Sequence, residues 1–167
     1  LLIRQNKMKE ALENALEILH EAEKNNVVEE QLKAQIQIGW IYMELNQNND
    51  ALKWFFEGIE LNRRERKLPE PSVMNSNIAA VYNSIGKNDS AAIYINRSIE
   101  QAINEQDLSF LCNAYYISSG ICVESGRIAE AEELLKKGLE IRKKIGDAFY
   151  IVADLAELGR FYINANQ

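Results

Sequence analysis

The chain contains one histidine, His20, and two cysteines, Cys112 and Cys122, the side chains at which thiol chemistry or a zinc-type metal site is first sought. The cysteines lie ten residues apart in one stretch that reads as a single helix. At about 1.5 Å of rise per residue they are separated by roughly 15 Å along the axis. That is beyond the reach of a disulfide or of a shared metal ion. They read as buried thiols, which suits a reducing compartment. His20 has no partner at catalytic or metal-ligand spacing and reads as a solvated helix residue. No phosphate loop, nucleophile–base pair or buried acid pair stands out. Neither a metal nor a cofactor is expected, and the chain does not read as an enzyme.

Recognition is the remaining chemistry, and the elements that would carry it are helices. The 167 residues are 47% apolar and 26% charged, with two prolines. That profile fits one all-helical domain and opposes disorder. A net charge of −6 argues against direct nucleic-acid binding, which needs a basic surface. No apolar run approaches the roughly 20 residues needed to span a bilayer, and no membrane contact is expected. Nothing resembles a signal peptide. A cytoplasmic location is expected, with a periplasmic sensor segment as the alternative, because the chain does not begin with Met.

One pattern recurs every forty residues, and such a period marks stacked structural units. Ala11, Ala51, Ala91 and Ala131 open the second helix of each unit, with Leu19, Ile59, Ile99 and Leu139 eight residues on. Twelve residues before the later alanines stand Gly39, Ala79 and Ser119, a series that continues at Gly159. Three residues after these come Tyr42, Tyr82, Cys122 and Tyr162. Small residues let antiparallel helices approach closely, and the ring one turn later fills the widening gap. Gly58, Ser98 and Gly138 mark a second close contact, a slot that Ile18 breaks in the first unit.

Turn chemistry divides the chain the same way. "NQNND" (46–50), "GKNDS" (86–90) and "SGRIA" (125–129) separate the helices of each unit with Gly and Asn, which tolerate positive φ. Asp89 or Asn88 is an expected N-cap, Gly146 a residue just past a helix end, and Pro71 the first turn of a helix. Second helices are expected near 7–24, 49–66, 89–103 and 128–144, and first helices near 28–45, 71–85, 108–125 and 148–165. Residues 1–5 would be the stub of another first helix.

With "LGRFY" (158–162), "AVYNSIGKNDSA" (80–91) and "SGRIAEA" (125–131), the pattern resembles the tetratricopeptide repeat. The resemblance implies an all-α, right-handed α-α superhelix, a solenoid of helix-turn-helix repeats forming one domain over 1–167. Its repeats would be 27–66, 67–106 and 107–146, with partial repeats at 1–26 and 147–167. The period of forty exceeds the usual 34, as in bacterial regulators and kinesin-light-chain-like scaffolds. The tryptophan expected early in each first helix is replaced by Gln35, Asn75, Tyr115 and Leu155.

In this family the first helices line a concave groove that holds an extended peptide or a partner helix. Matching positions give Lys33, Ile36, Gln37, Trp40 and Met43, then Ser76, Asn77, Ala80 and Asn83. They continue with Asn113, Tyr116, Ile117 and Gly120, then Ala156, Glu157 and Arg160. Lys33, Ile36, Trp40, Asn77, Asn83, Asn113, Tyr116 and Arg160 are the expected binding residues. The family's carboxylate clamp of Lys and Asn meets Ile36 and Trp40 here, so the resemblance does not extend to that clamp. Asn can bond a peptide backbone of any sequence, and Trp40 and Tyr116 can anchor it. The asparagines read equally as solvated helix positions, and Trp40 also as packing against a neighbouring helix. Gly120 either opens the groove floor or eases a tight crossing.

"RRERK" (63–67) and "IRKK" (141–144) read as solvated cations at helix C-termini, and "EAEE" (130–133) as their N-terminal counterpart. The stretch 149–163 carries apolar residues on more than one face and is expected to self-associate or to meet a covering helix in a longer chain. A protein- or peptide-binding module is the expected function. The incomplete repeats at both ends favour a segment of a larger bacterial regulator, a transcription factor or sensor kinase. A free-standing scaffold or self-association module is the alternative.

Overall fold

The computed structural model describes residues 2–65, 72–146 and 148–165, and the side chains of these except 2–6 and 165. They form α1 (Leu2–Lys24), α2 (Val28–Glu44), α3 (Asn48–Glu65), α4 (Ser72–Ser84), α5 (Asn88–Asn104), α6 (Leu108–Glu124), α7 (Ile128–Ile145) and α8 (Ala148–Ala165). There are no strands among the described residues. Pro71 and the rest of the 67–71 connection lie outside them. The stub expected at 1–5 is not a separate element, since α1 runs unbroken from Leu2 to Lys24. No Gly or Pro interrupts "LLIRQNKM", so the helix extends backward.

The turns share one construction. Asn26, Asn46, Gly86, Gln106, Gly126 and Gly146 have positive φ, all on a step of twenty residues or its multiple. At the first five, two backbone bonds close the preceding helix. At Gly86, for example, the Gly86 N–H donates to the Asn83 carbonyl (3.0 Å) and the Lys87 N–H to the Tyr82 carbonyl (2.8 Å). These are Schellman closures, which satisfy the carbonyls a helix end leaves free. The next residue caps the following helix: the Lys87 carbonyl accepts from the Ala91 N–H at 3.0 Å. Only three residues, Ile85, Gly86 and Lys87, therefore separate α4 from α5. The expected side-chain cap at Asn88 or Asp89 is not formed, because Lys87 takes the N-cap position and α5 begins at Asn88. Asp107 does cap α6 with its side chain, accepting from the Phe110 N–H at 2.8 Å. Gly146, at φ 83°, ends α7 as expected.

The chain divides into two compact units, Leu1–Val81 and Tyr82–Gln167. In the first, Ala15 and Leu19 of α1 pack with Ala34, Ile38 and Ile41 of α2. Leu32, Leu61 and Met74 form a second cluster joining α2, α3 and α4. Gly39 makes room for a ring rather than for another small residue: a Cβ there would lie 2.5 Å from the fully buried Phe55 ring. Gly58 is equally constrained by Met74 and by Gln35 Oε1.

In the second unit, Ala91, Ile95, Leu111, Ala114, Ile121 and Ala131 are buried. Tyr82 stacks on Tyr94 with ring centroids 5.6 Å apart, and Tyr162 donates to Glu132 Oε1 at 2.6 Å. Cys112 and Cys122 are free, buried thiols. Burial raises both thiol pKa values, which suppresses the reactive thiolate. Gly138 is less confined than Gly58, since its nearest neighbours, the Cys112 carbonyl and Tyr115 Cβ, stand 3.7 and 3.9 Å from a built Cβ.

Ala51, Ala91 and Ala131 have no exposed surface, whereas Ala11 is partly buried. Ala131→Leu is expected to destabilise the chain by about 1–3 kcal/mol through overpacking. Glu133→Leu removes only an exposed pair with Lys137, and its stability should stay within about 0.5 kcal/mol of the parent's. Denaturant midpoints of the two variants compare them directly, and equal losses would contradict this packing register.

Candidate functional site

The eight expected binding residues divide between the two units, four in each. In the first, Lys33, Ile36 and Trp40 follow one another at i, i+3 and i+7 on α2 and so share one face. That face turns outward because Leu32, Ala34, Gln35, Ile38, Gly39 and Ile41 take the buried positions of α2. Trp40 is 42% exposed, and its neighbour Gly39 takes the contact with Phe55. Ile36 is partly committed to packing on the Leu32–Leu61–Met74 cluster. Lys33 is exposed, with its ammonium 2.8 Å from Glu29 and 2.9 Å from Glu30. Those hydrogen bonds hold its pKa above the ordinary lysine value. Asn77 is half-buried on α4, between the buried Ser76 and Ile78.

In the second unit the same spacing on α6 brings Asn113, Tyr116 and Gly120 onto one face. Tyr116 is 48% exposed. Gly120 eases no crossing: a Cβ added there would have no neighbour within 4 Å. Asn83, near the end of α4, is half-buried with its Oδ1 atom unpaired. Arg160 is exposed on α8 and paired with Glu157.

Arg142 is the residue that the charge pattern misplaces. Read as one of the solvated cations of "IRKK", it is only 5% exposed. Its Nη2 donates to Asn113 Oδ1 at 2.5 Å, and its Nε stands 3.6 Å from Asp154 Oδ2. Its guanidinium carbon lies 4.5 Å from the centre of the Tyr150 ring. Burial raises the Asp154 pKa, and the Arg142 charge opposes that rise. The helix-end cation is thus drawn inward, where α6 and α8 supply an acceptor, a carboxylate and a ring. The forty-residue register carries the missed signal, because Ala22, Asn62 and Ala102 occupy the same slot and all are buried.

Among the described residues, no group of three His, Cys, Asp or Glu side chains could hold a metal ion. No described helix is long and apolar enough to cross a membrane. An open cleft of about 560 Å³ lies at α1 and the start of α2, lined by Ile18, Ala22 and Val27 with Glu17, Glu21 and Glu30. The α2 and α6 faces can present aromatic surface and amide or ammonium donors, the equipment of a recognition surface.

Residues 32–65 and 113–145 match the family model of the tetratricopeptide repeat. These stretches cover most of the α2–α3 and α6–α7 hairpins. No curated protein matches the chain in sequence. Among solved structures, BtubC (BKLC) from P. vanneervenii is similar at a TM-score of 0.83 and 12% identity, over 98% of this chain and 68% of that one. A kinesin light chain-type protein from Podosopora anserina, with nearly identical TPR-like repeats, is similar at a TM-score of 0.71 and 16% identity. That match covers 98% of this chain and 82% of the other. Aspartyl phosphate phosphatase F from Bacillus subtilis is similar at 0.61 and 19% identity, over 86% of this chain and 44% of that one. The chain therefore carries tetratricopeptide-type repeats in sequence over two stretches and a TPR-like helix-turn-helix fold over nearly its whole length.

Gly120 weakens α6 without any packing return. Gly120→Ala is expected to raise stability by about 1 kcal/mol. Thermal unfolding of the variant checks this, and a lower midpoint would mean that the α6 face is not open.

Proposed function

We propose that the chain is a non-enzymatic protein- and peptide-binding module, read as one array of repeats over 1–167, that engages its partner through the outward faces of its first helices. The observation that carries this reading is the exposure of Trp40 and Tyr116, two large aromatics on the α2 and α6 faces. Binding energy concentrates in such side chains. Lys33, Asn77, Asn83, Asn113 and Arg160 supply polar contacts in this reading, and Ile36 the edge of the apolar surface beside Trp40. The fold supports a protein or peptide as partner.

The wider setting we infer is a bacterial regulatory protein, as a sensor or interaction segment of a transcriptional regulator or a kinase. The forty-residue repeat and the likeness in fold to aspartyl phosphate phosphatase F support it. The buried free thiols fit a reducing cytoplasm. A helix-turn-helix or kinase region encoded beside this segment would support the regulatory reading, whereas a gene ending in repeats alone would favour a free-standing scaffold.

Trp40→Ala and Tyr116→Ala should each weaken partner binding by about 1 kcal/mol or more, with little change in melting temperature. Titration calorimetry with a partner obtained by pull-down measures this. An affinity indifferent to both changes would place the binding surface elsewhere.

A second contact surface is favoured by α8, where Phe149 is 77% and Val152 66% exposed. Gly159 there has nothing within 4 Å of a built Cβ, although the matching Gly39 packs on Phe55. Self-association through 149–163 is the reading these residues support. Light scattering is expected to show a mass that rises with concentration and falls back for Val152→Glu. A strictly monomeric protein at high concentration would reject it.

A further inference from the structure

We propose that Arg142 positions Asn113, so that the α6 face presents one oriented amide N–H donor to a carbonyl or carboxylate oxygen of a bound peptide, beside the Tyr116 ring. The inference rests on the binding reading of that face and assigns its chemistry. A guanidinium carries donors and no acceptor. The atom of Asn113 that meets Arg142 Nη2 at 2.5 Å must therefore be the amide oxygen. Nδ2, with its two N–H bonds, is then the half of the amide not engaged by Arg142, and Asn113 itself is exposed.

An unrestrained asparagine offers donor and acceptor alike and rotates between them. Here the acceptor half is occupied from behind by a buried cation, which also polarises the amide and strengthens its N–H groups as donors. Arg142 is itself held in place by Asp154 and the Tyr150 ring of α8. The matching position on α2 is Lys33, likewise a donor without an acceptor. Tyr116 follows Asn113 by one turn and Gly120 by two, where no neighbour restricts the backbone. An extended segment on this face would meet an N–H, then a ring, then open helix surface.

Asn113→Asp separates donor from fold, because the carboxylate still accepts from Arg142 while an oxygen replaces the outward N–H. The probe is a set of random dodecapeptides selected by display on the wild-type chain, then synthesised with free and with amidated C-termini. We expect Asn113→Asp to weaken them about 10-fold or more, as loss of a donor that leaves two oxygens facing each other, with unfolding unchanged. Loss of binding on amidation supports a terminal carboxylate as the acceptor, and its persistence supports a backbone or side-chain oxygen. Arg142→Lys keeps the charge but loses the fork, and should move the Asn113 side-chain amide resonances in the free protein and weaken the same peptides. If Tyr116→Ala weakens binding while Asn113→Asp stays within two-fold, the donor role is overturned and the binding face stands. If Trp40→Ala, Tyr116→Ala and Asn113→Asp all leave binding unchanged, the binding face itself falls, and this inference with it. Wild-type affinity together with unmoved Asn113 resonances in a folded Arg142→Lys protein overturns the positioning role.

Discussion

The helix pairs depend on turns that spend only three residues between one helix and the next. A residue in the left-handed region closes one helix, and the next residue caps the following one through its own carbonyl. Because these turns recur on a twenty-residue step, α2, α5 and α6 have 17 residues each, and α3 and α7 have 18. Helices of like length joined by like turns give residues forty apart in the chain the same position within their own helix pair. The slots at 51, 91 and 131 are therefore equally buried in alanine. Positive φ favours Gly and Asn at these turns, and Gln106 takes it without either advantage.

Given that frame, packing is a problem of matching sizes at fixed crossings. Gly39 admits the Phe55 ring, and Gly58 admits the end of Met74. Burial of Phe55 is worth about 1.5–3 kcal/mol, and it is available only because position 39 has no side chain. The same slot can hold different chemistry in different units. At positions 22, 62, 102 and 142 the residues are Ala, Asn, Ala and Arg, all buried. A charge is tolerated at the last because Asn113, Asp154 and Tyr150 surround it.

Function is read from what packing leaves over. On α2 and α6 the residues facing out are those for which the helix pair has no use, among them Trp40 and Tyr116. Arg142 ties one of those faces to the interior, since the side chain that fastens α8 also holds the Asn113 amide. The proposed binding face of α6 and the packing of α8 in the second unit thus share one guanidinium.

The helices, their turns and the buried alanine slots were legible in the sequence because they follow from local rules. A left-handed residue, a run of 17 or 18 helical positions and an apolar stripe are written within a few turns of chain. The outward positions on α2 and α6 were expected from the resemblance to the tetratricopeptide repeat, not from a local pattern of this chain. The N-cap of α5 was misread because the turn's backbone closure, not the nearest Asn or Asp, decides where that helix begins. Arg142 was misread because its partners lie on other helices, Asn113 being 29 residues away. Whether a cation at a helix end meets water or a carboxylate depends on the separation and rotation of three helices, which no local pattern encodes. Only the tertiary structure turns Asn113 from a generic polar residue into an oriented donor, because the direction of an amide is decided by the group behind it.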